Sequence, residues 1–280
     1  MMFEQITEPA AYHGEGPCWS ASWGGLRWVD MLAGDLLTLL PDGSIHRLPT
    51  GSPVAAFVRP RASGGFVVGL ERGLGLADEP FGEVRHLPPM WDDADLRMNE
   101  GATDPWGNLY AGSMAYSRTP GAGSLFKVSP DLDVTTVLPR VSTSNGLDFS
   151  PDAHRAYYHD TATRSTDVFD VVDQELKNRR VFHEAIGTSP DGLTVDSAGN
   201  VWVALNKVGK VRLYSPDAEI LSEWELPVRL VTAVTLGGPD GRDVFITTSR
   251  ENLADPEPAA GAVFHGRAEV PGKPVVPFAG

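Results

Sequence analysis

A turn-plus-strand segment recurs six times along the chain, and a repeat of this length restricts the fold more than any other feature. It reads SASWGGLRWVD from Ser20, RASGGFVVGL from Arg61, DPWGNLYAG from Asp104, SPDAHRAYYHD from Ser150, DSAGNVWVAL from Asp196 and GGPDGRDVFITT from Gly237. A second segment follows each at a similar offset, beginning at Gly34, Gly73, Gly123, Ser165, Gly209 and Gly261. The period is roughly 40 to 46 residues, the length of one four-stranded propeller blade. β-branched and aromatic residues fill the strand positions, and Gly, Asn, Asp or Pro fill the turns. One such blade cannot cover both its faces, whereas a closed ring of six buries them and leaves only short outer edges. The repeat therefore predicts an all-β chain, a six-bladed β-propeller with four-stranded antiparallel blades, in a single domain over residues 1–280. Part of the segment at 3–12 is expected to close the ring by pairing with the last blade. Two β-sandwiches would not share one register along the whole chain.

Composition narrows the partners. A formal net charge of -14 and the lack of a Lys/Arg cluster argue against nucleic acid, because phosphate binding draws on a basic patch. The N-terminus has neither a basic start nor an apolar run, so no leader is expected, and no stretch reaches membrane-spanning length. Cys18 is the only cysteine. A disulfide framework is excluded and a reducing cytoplasm expected. The expected partner is a small molecule rather than nucleic acid or membrane, on a monomer or weak homodimer.

The polar residues of the repeat carry the functional signal. Five positions before the turn-leading Ser or Asp stand Glu15, Asn99, Asn145 and Asp191; the approximate counterparts in the other two repeats are Val54 and Thr232. Equivalent points of a propeller converge on its axis, so these side chains should ring one mouth of the central channel. Asn145-Gly146 and Asp191-Gly192 are also good hairpin dipeptides. The tight turns, however, come later, at Ser150-Pro151-Asp152 and Ser197-Ala198-Gly199, which assigns the earlier dipeptides to the inner strand. Two carboxylates and two amide oxygens suit one hard divalent cation such as calcium, magnesium or manganese better than a soft one, and the metal's identity stays open because zinc and iron also accept carboxylate oxygen. The seven histidines are scattered, no G-x-S-x-G elbow occurs, and phosphate-binding Gly loops are absent.

Several further residues invite simpler readings. Trp19, Trp23, Trp28, Trp106 and Trp202 read as packing between blades. His159 and Asp160 read as a structural pair, and Cys18 as a small buried hydrophobe. Residues 118–123 and 250–260 read as loops, the first shaping the channel entrance.

The segments HGEGPCW at 13–19, RMNEGATDPWGNLYAGSM at 97–114, SNGLDFSPDAHRAYYHDT at 144–161, SPDGLTVDSAGNVWVA at 189–204 and LGGPDGRDVFITTSR at 236–250 resemble the SMP-30/gluconolactonase/luciferin-regenerating-enzyme family of regucalcin-like sugar lactonases. The resemblance spans essentially the whole chain. It implies a six-bladed propeller with one divalent metal, held by Glu15, Asn145 and Asp191. Arg97 resembles the residue that grips substrate oxygens, and Asn99 a substrate-contacting or more distant metal-facing amide. Glu100 replaces the aspartate usual in the R-x-N-D-G motif and Ala102 stands where a lysine is frequent, which puts the substrate rather than the metal in doubt. Substrate contacts are expected from Arg97, Asn99, Glu100 and Tyr116.

The resulting expectation is a metal-dependent lactonase that opens a sugar-acid lactone, with a polarised carbonyl and with Asp191 as general base for the attacking water. The alternatives are a related metal-dependent esterase or phosphotriesterase, a secondary-metabolite lactonase, or a non-catalytic metal-binding regulatory protein.

Overall fold

Inner-strand sequences such as AAFVRP and VTAVTLG are apolar along nearly their whole length, as a strand covered on both faces must be, whereas outer strands such as ELKNRRVFHE are largely charged. This contrast orders each blade from axis to rim. The structure, a computed structural model, describes residues 1–185 and 187–280.

A short strand β1 (Glu4–Gln5) comes first. Blade 1 holds β2 (Gly14–Ser20), β3 (Gly25–Asp30), β4 (Asp35–Leu39) and β5 (Ile45–Pro49), and blade 2 holds β6 (Ala55–Pro60), β7 (Phe66–Leu70), β8 (Leu74–Ala77) and β9 (Arg85–His86). Blade 3 is β10 (Leu96–Thr103), β11 (Leu109–Ala115), β12 (Gly123–Val128) and β13 (Val134–Val141), and blade 4 is β14 (Ser144–Phe149), β15 (Arg155–Asp160), β16 (Ser165–Val172) and β17 (Glu175–Glu184). Blade 5 is β18 (Ser189–Val195), β19 (Val201–Asn206), β20 (Lys210–Tyr214) and β21 (Ile220–Glu225). Blade 6 takes β22 (Val231–Gly237), β23 (Asp243–Thr248) and β24 (Val263–Arg267), and is completed by β1, paired antiparallel with Glu4 opposite His265. The ring is thus a six-bladed propeller closed by its N-terminal strand, as the repeat predicts. No described helix is long and apolar enough to cross a membrane.

The inner strands β2, β6, β10, β14, β18 and β22 touch in a closed circuit. The apolar core lies in the seams between blades. Tyr110 meets Phe149 and Tyr158 between blades 3 and 4, and Trp28 meets Phe245 and Val263 between blades 1 and 6. Trp23, Trp28 and Trp202 are buried in such seams; Trp106 is exposed on its turn.

The repeated hairpin turn has one physical cause in blades 3 and 5. Asp104 Oδ1 accepts from the amides of Trp106 and Asn108, and Asp196 Oδ1 accepts from those of Ala198 and Asn200. Each aspartate satisfies the turn's amides in place of a strand partner. These turns lie at the end of the ring opposite the start of the inner strands. There the C-terminal segment runs beneath them, Ser197 N donating to Pro271 O at 2.9 Å and Ala279 N to Gly107 O at 2.9 Å.

Candidate functional site

Every inner strand loses register with its neighbour at an equivalent point. The breaks fall between Glu15 and Cys18, Ala55 and Val58, Met98 and Glu100, Ser144 and Leu147, Pro190 and Leu193, and Val231 and Ala233. A bulge re-aims side chains out of the ladder. Glu15, Asn99, Asn145 and Asp191 stand at four of these breaks and Thr232 at the sixth. In blade 2 the bulge carries Ala56 and Phe57 rather than Val54, which precedes the strand. Phe57 is fully buried, its ring lying against Gly69 and Gly101 in the seam between blades 2 and 3.

The glycines after Asn145 and Asp191 serve close approach rather than a hairpin. Neither Gly146 nor Gly192 has left-handed backbone. A Cβ on Gly146 would lie 2.6 Å from Leu193 N and 2.7 Å from Asp191 O, and one on Gly192 would lie 2.4 Å from Ala233 Cβ. Each Xaa-Gly pair thereby sends a polar side chain toward the channel while the next backbone packs against the neighbouring blade.

Glu15, Asn99, Asn145 and Asp191 line one cavity of about 450 Å³ at the channel end where the inner strands begin. Asp191 is 5 % exposed and Glu15 6 %. Asn206 Nδ2 donates to Asp191 Oδ2 at 2.7 Å, while Asp191 Oδ1 is buried with no hydrogen-bond partner. Asn145 Nδ2 donates to Thr161 Oγ1 at 3.0 Å, and Thr161 Oγ1 donates on to Pro190 O at 2.9 Å, which orients the amide. Burial raises Asp191 to about 7 even though the Asn206 amide favours its charged form. Burial also holds Glu15 well above the usual carboxylate range, and the charges of Asp191 and Glu100 add to this.

Two buried carboxylates with an orphaned oxygen between amides form a donor set that a hard cation would complete. Among the described residues no group of three or more His, Cys, Asp or Glu side chains gathers at metal-binding range, so a thiolate or imidazole centre is not formed. The oxygen set of Glu15, Asn145 and Asp191 fits a divalent ion of the calcium or magnesium kind better than a soft one.

Arg97 and Asn99 lie side by side. The Arg97 guanidinium donates to Asn99 Oδ1 at 2.8 Å and to Met98 O at 2.9 Å, and Asn99 Nδ2 donates to Ser144 O at 2.8 Å. Asn99 is therefore the brace that aims Arg97 into the cavity. Tyr116 is not among the cavity walls. Its hydroxyl donates to Glu71 Oε1 at 2.9 Å, and its ring stands 5.9 Å from the Arg97 guanidinium. Glu100, expected among the substrate contacts, also lies outside this cavity. It lines a separate space of about 420 Å³ toward the other channel end, where Oε1 accepts from Gly101 N at 2.8 Å and faces Arg59 at 3.3 Å. The bulge between Met98 and Glu100 gives the cavity to Asn99 and turns Glu100 away from it.

His159 and Asp160 are not a pair. Neither ring nitrogen of His159 has a side-chain partner, while Asp160 accepts from the amides of Ser142 and Thr143, both at 2.9 Å.

The cavity also holds His13, Ser249 and Glu251, which the inner-strand register does not reveal. His13 Nδ1 is 2.7 Å from Ser249 Oγ, and its Nε2 is 3.7 Å from Glu15 Oε1. Burial, with the charges of Arg97 and Arg118, lowers His13 to about 3, so it is neutral at pH 7. A second register was available for these positions. The end of each second strand faces the start of the first, as in Ser144 opposite Asp160 and Ser189 opposite Asn206. Asn206 stands at that point, and Thr161 and Ser249 one residue beyond it, next to Asp160 and Thr248. Arg118 reaches the mouth from the loop expected to shape it.

The family model for the SMP-30/Gluconolactonase/LRE-like region matches residues 13–250. The chain is 37 % identical over 278 residues to the 6-deoxy-6-sulfogluconolactonase of Pseudomonas putida, covering 95 % of each chain. It is 32 % identical over 289 residues to the pentonolactonase XacC of Haloferax volcanii, covering 98 % of this chain and 97 % of that one. Its fold is similar to the crystal structure of a calcium-binding protein, regucalcin, from Agrobacterium tumefaciens, with a TM-score of 0.91 at 25 % identity and coverage of 98 % and 96 %.

Proposed function

Because the chain belongs to the SMP-30/gluconolactonase/LRE-like family, we propose that it is a metal-dependent hydrolase that opens a sugar-acid lactone. In this reading Glu15, Asn145 and Asp191 hold one divalent ion, calcium first, with zinc, manganese, magnesium or iron as alternatives. The observation that carries the reading is the pair of buried carboxylates at Glu15 and Asp191, one of them with an oxygen that nothing satisfies. Relatives named as a 6-deoxy-6-sulfogluconolactonase and a pentonolactonase support the substrate class, and the regucalcin likeness supports the ion.

When bound, such an ion supplies Lewis-acid polarisation of a carbonyl oxygen. The remaining work belongs to side chains of this protein. Asp191 accepts a proton from the water that attacks the carbonyl carbon, and Asn206 holds the plane of its carboxylate meanwhile. The ring C–O bond then breaks, and the departing oxygen takes the proton back. One water is consumed and Asp191 is restored. Arg97, held by Asn99, donates to the substrate's hydroxyl or ring oxygens and orients the lactone.

Proton release from sugar lactones, aryl esters and organophosphates tests the assignment. Hydrolysis of a sugar lactone well above its spontaneous rate is expected. Turnover of aryl esters or phosphotriesters alone would move the protein to another hydrolase class. Metal binding without any turnover would make it a binding protein.

A further inference from the structure

The charges around the cavity mouth are unevenly matched. Arg229 is paired with Glu257 at 2.7 Å, and Glu251 stands 3.8 Å from His13. Arg118 and Lys207 also line the cavity, from blades 3 and 5, and among the described residues neither side chain makes a hydrogen bond or an ion pair. Carboxylates are not scarce, with 37 Asp and Glu against 23 Lys and Arg. Lys210, three residues after Lys207, is paired with both Glu223 and Glu225, at 2.7 and 3.2 Å. The outward cation of that hairpin is thus neutralised and the one at the mouth is not.

Arg97 adds a third cation without a carboxylate partner, and the charge of Arg118 bears on both Arg97 and His13. Arg97 already meets the oxygens of a neutral sugar lactone, and Arg118 and Lys207, both exposed at the rim, add positive charge that such a substrate does not call for.

We propose that the substrate is a lactone bearing a second, anionic group at the end of the sugar away from the carbonyl, a carboxylate, sulfonate or phosphate gripped by Arg118 and Lys207. This rests on the lactonase reading. Arg118 and Lys207 line the same cavity as Glu15 and Asp191 and are exposed where those two carboxylates are buried, so a carbonyl held beside Glu15 and Asp191 leaves the rest of the sugar directed toward the exposed cations.

The test compares kcat/KM for glucono-1,5-lactone with that for the same lactone carrying carboxylate, sulfonate or phosphate at C6. At least one charged form is expected to be preferred by about tenfold or more, chiefly through KM and less so at high salt. Arg118→Met and Lys207→Met should each lower that preference by about tenfold, and Lys207→Arg should restore much of it. Equal values for neutral and charged lactones, or a preference untouched by both substitutions, would overturn the proposal. Calorimetric binding of gluconate and 6-phosphogluconate to the metal-loaded protein separates the two ideas. Tighter 6-phosphogluconate binding that both Met variants lose supports the anion site even if no lactone turns over, whereas equal binding in the absence of turnover removes both readings.

Discussion

Asn206 holds one oxygen of Asp191 at 2.7 Å and leaves the other, Oδ1, buried without a partner. The carboxylate is thereby oriented but not satisfied, the state in which an outer residue prepares a ligand for an ion. Asn206→Leu is expected to weaken divalent-ion binding by about tenfold to hundredfold, measured by calorimetric titration. Unchanged affinity would remove Asn206 from the site.

The metal-free protein should lose stability as pH rises. Asp191 has a folded pKa of about 7 against an ordinary 3.8. Between those values the folded protein keeps a proton that the unfolded chain has released, so the contribution is complete at low pH and lost as pH passes the folded value. In chelator, Asp191→Asn should melt close to the wild type near about pH 4 and above it near about pH 7, by an amount on the order of a few kcal/mol. A wild type that gains on the variant over that interval would contradict the sign.

Gly146→Ala places a methyl group 2.6 Å from Leu193 N. The contact is with backbone, which cannot move aside locally, so a loss of about 1–3 kcal/mol is expected in denaturant titration. Ion affinity should fall with it, because Asn145 and Asp191 sit on the two strands that must separate.

Asn99→Ala removes the brace from Arg97. KM for the lactone is expected to rise about tenfold with a smaller change in kcat, the pattern of lost substrate orientation and binding. Tyr116→Phe serves as the contrast. Its hydroxyl is spent on Glu71 outside the cavity, and a change below about threefold in kcat/KM is expected.

The ring was legible because Ser, Asp and Gly turns recur at a fixed distance from apolar inner strands, and closure by the N-terminal strand follows from the spare segment ahead of the first repeat. Glu15, Asn99, Asn145 and Asp191 were legible for the same reason, since one register carries them to one end of the channel. Glu100 was misplaced because a bulge between Met98 and Glu100 decides which of two adjacent residues faces the cavity, and a bulge leaves no periodic trace. Val54 was displaced as the blade 2 counterpart by the bulge at Ala56 and Phe57. His13, Ser249 and Arg118 reach the mouth from strand ends and loops, where position depends on packing rather than period. The C-terminal segment gave no signal either, because its backbone bonds to Gly107 and Ser197 do not depend on side-chain identity.

The most direct measurement is lactone hydrolysis by protein stripped with chelator and then titrated with Ca²⁺, Zn²⁺, Mn²⁺ or Mg²⁺. A site built by Glu15, Asn145 and Asp191 predicts loss of turnover on stripping and recovery at about one ion per chain, with Asp191→Asn binding poorly and failing to recover. Full activity in the stripped protein, or an Asp191→Asn variant that hydrolyses the lactone at the wild-type rate with the ion bound, would contradict it.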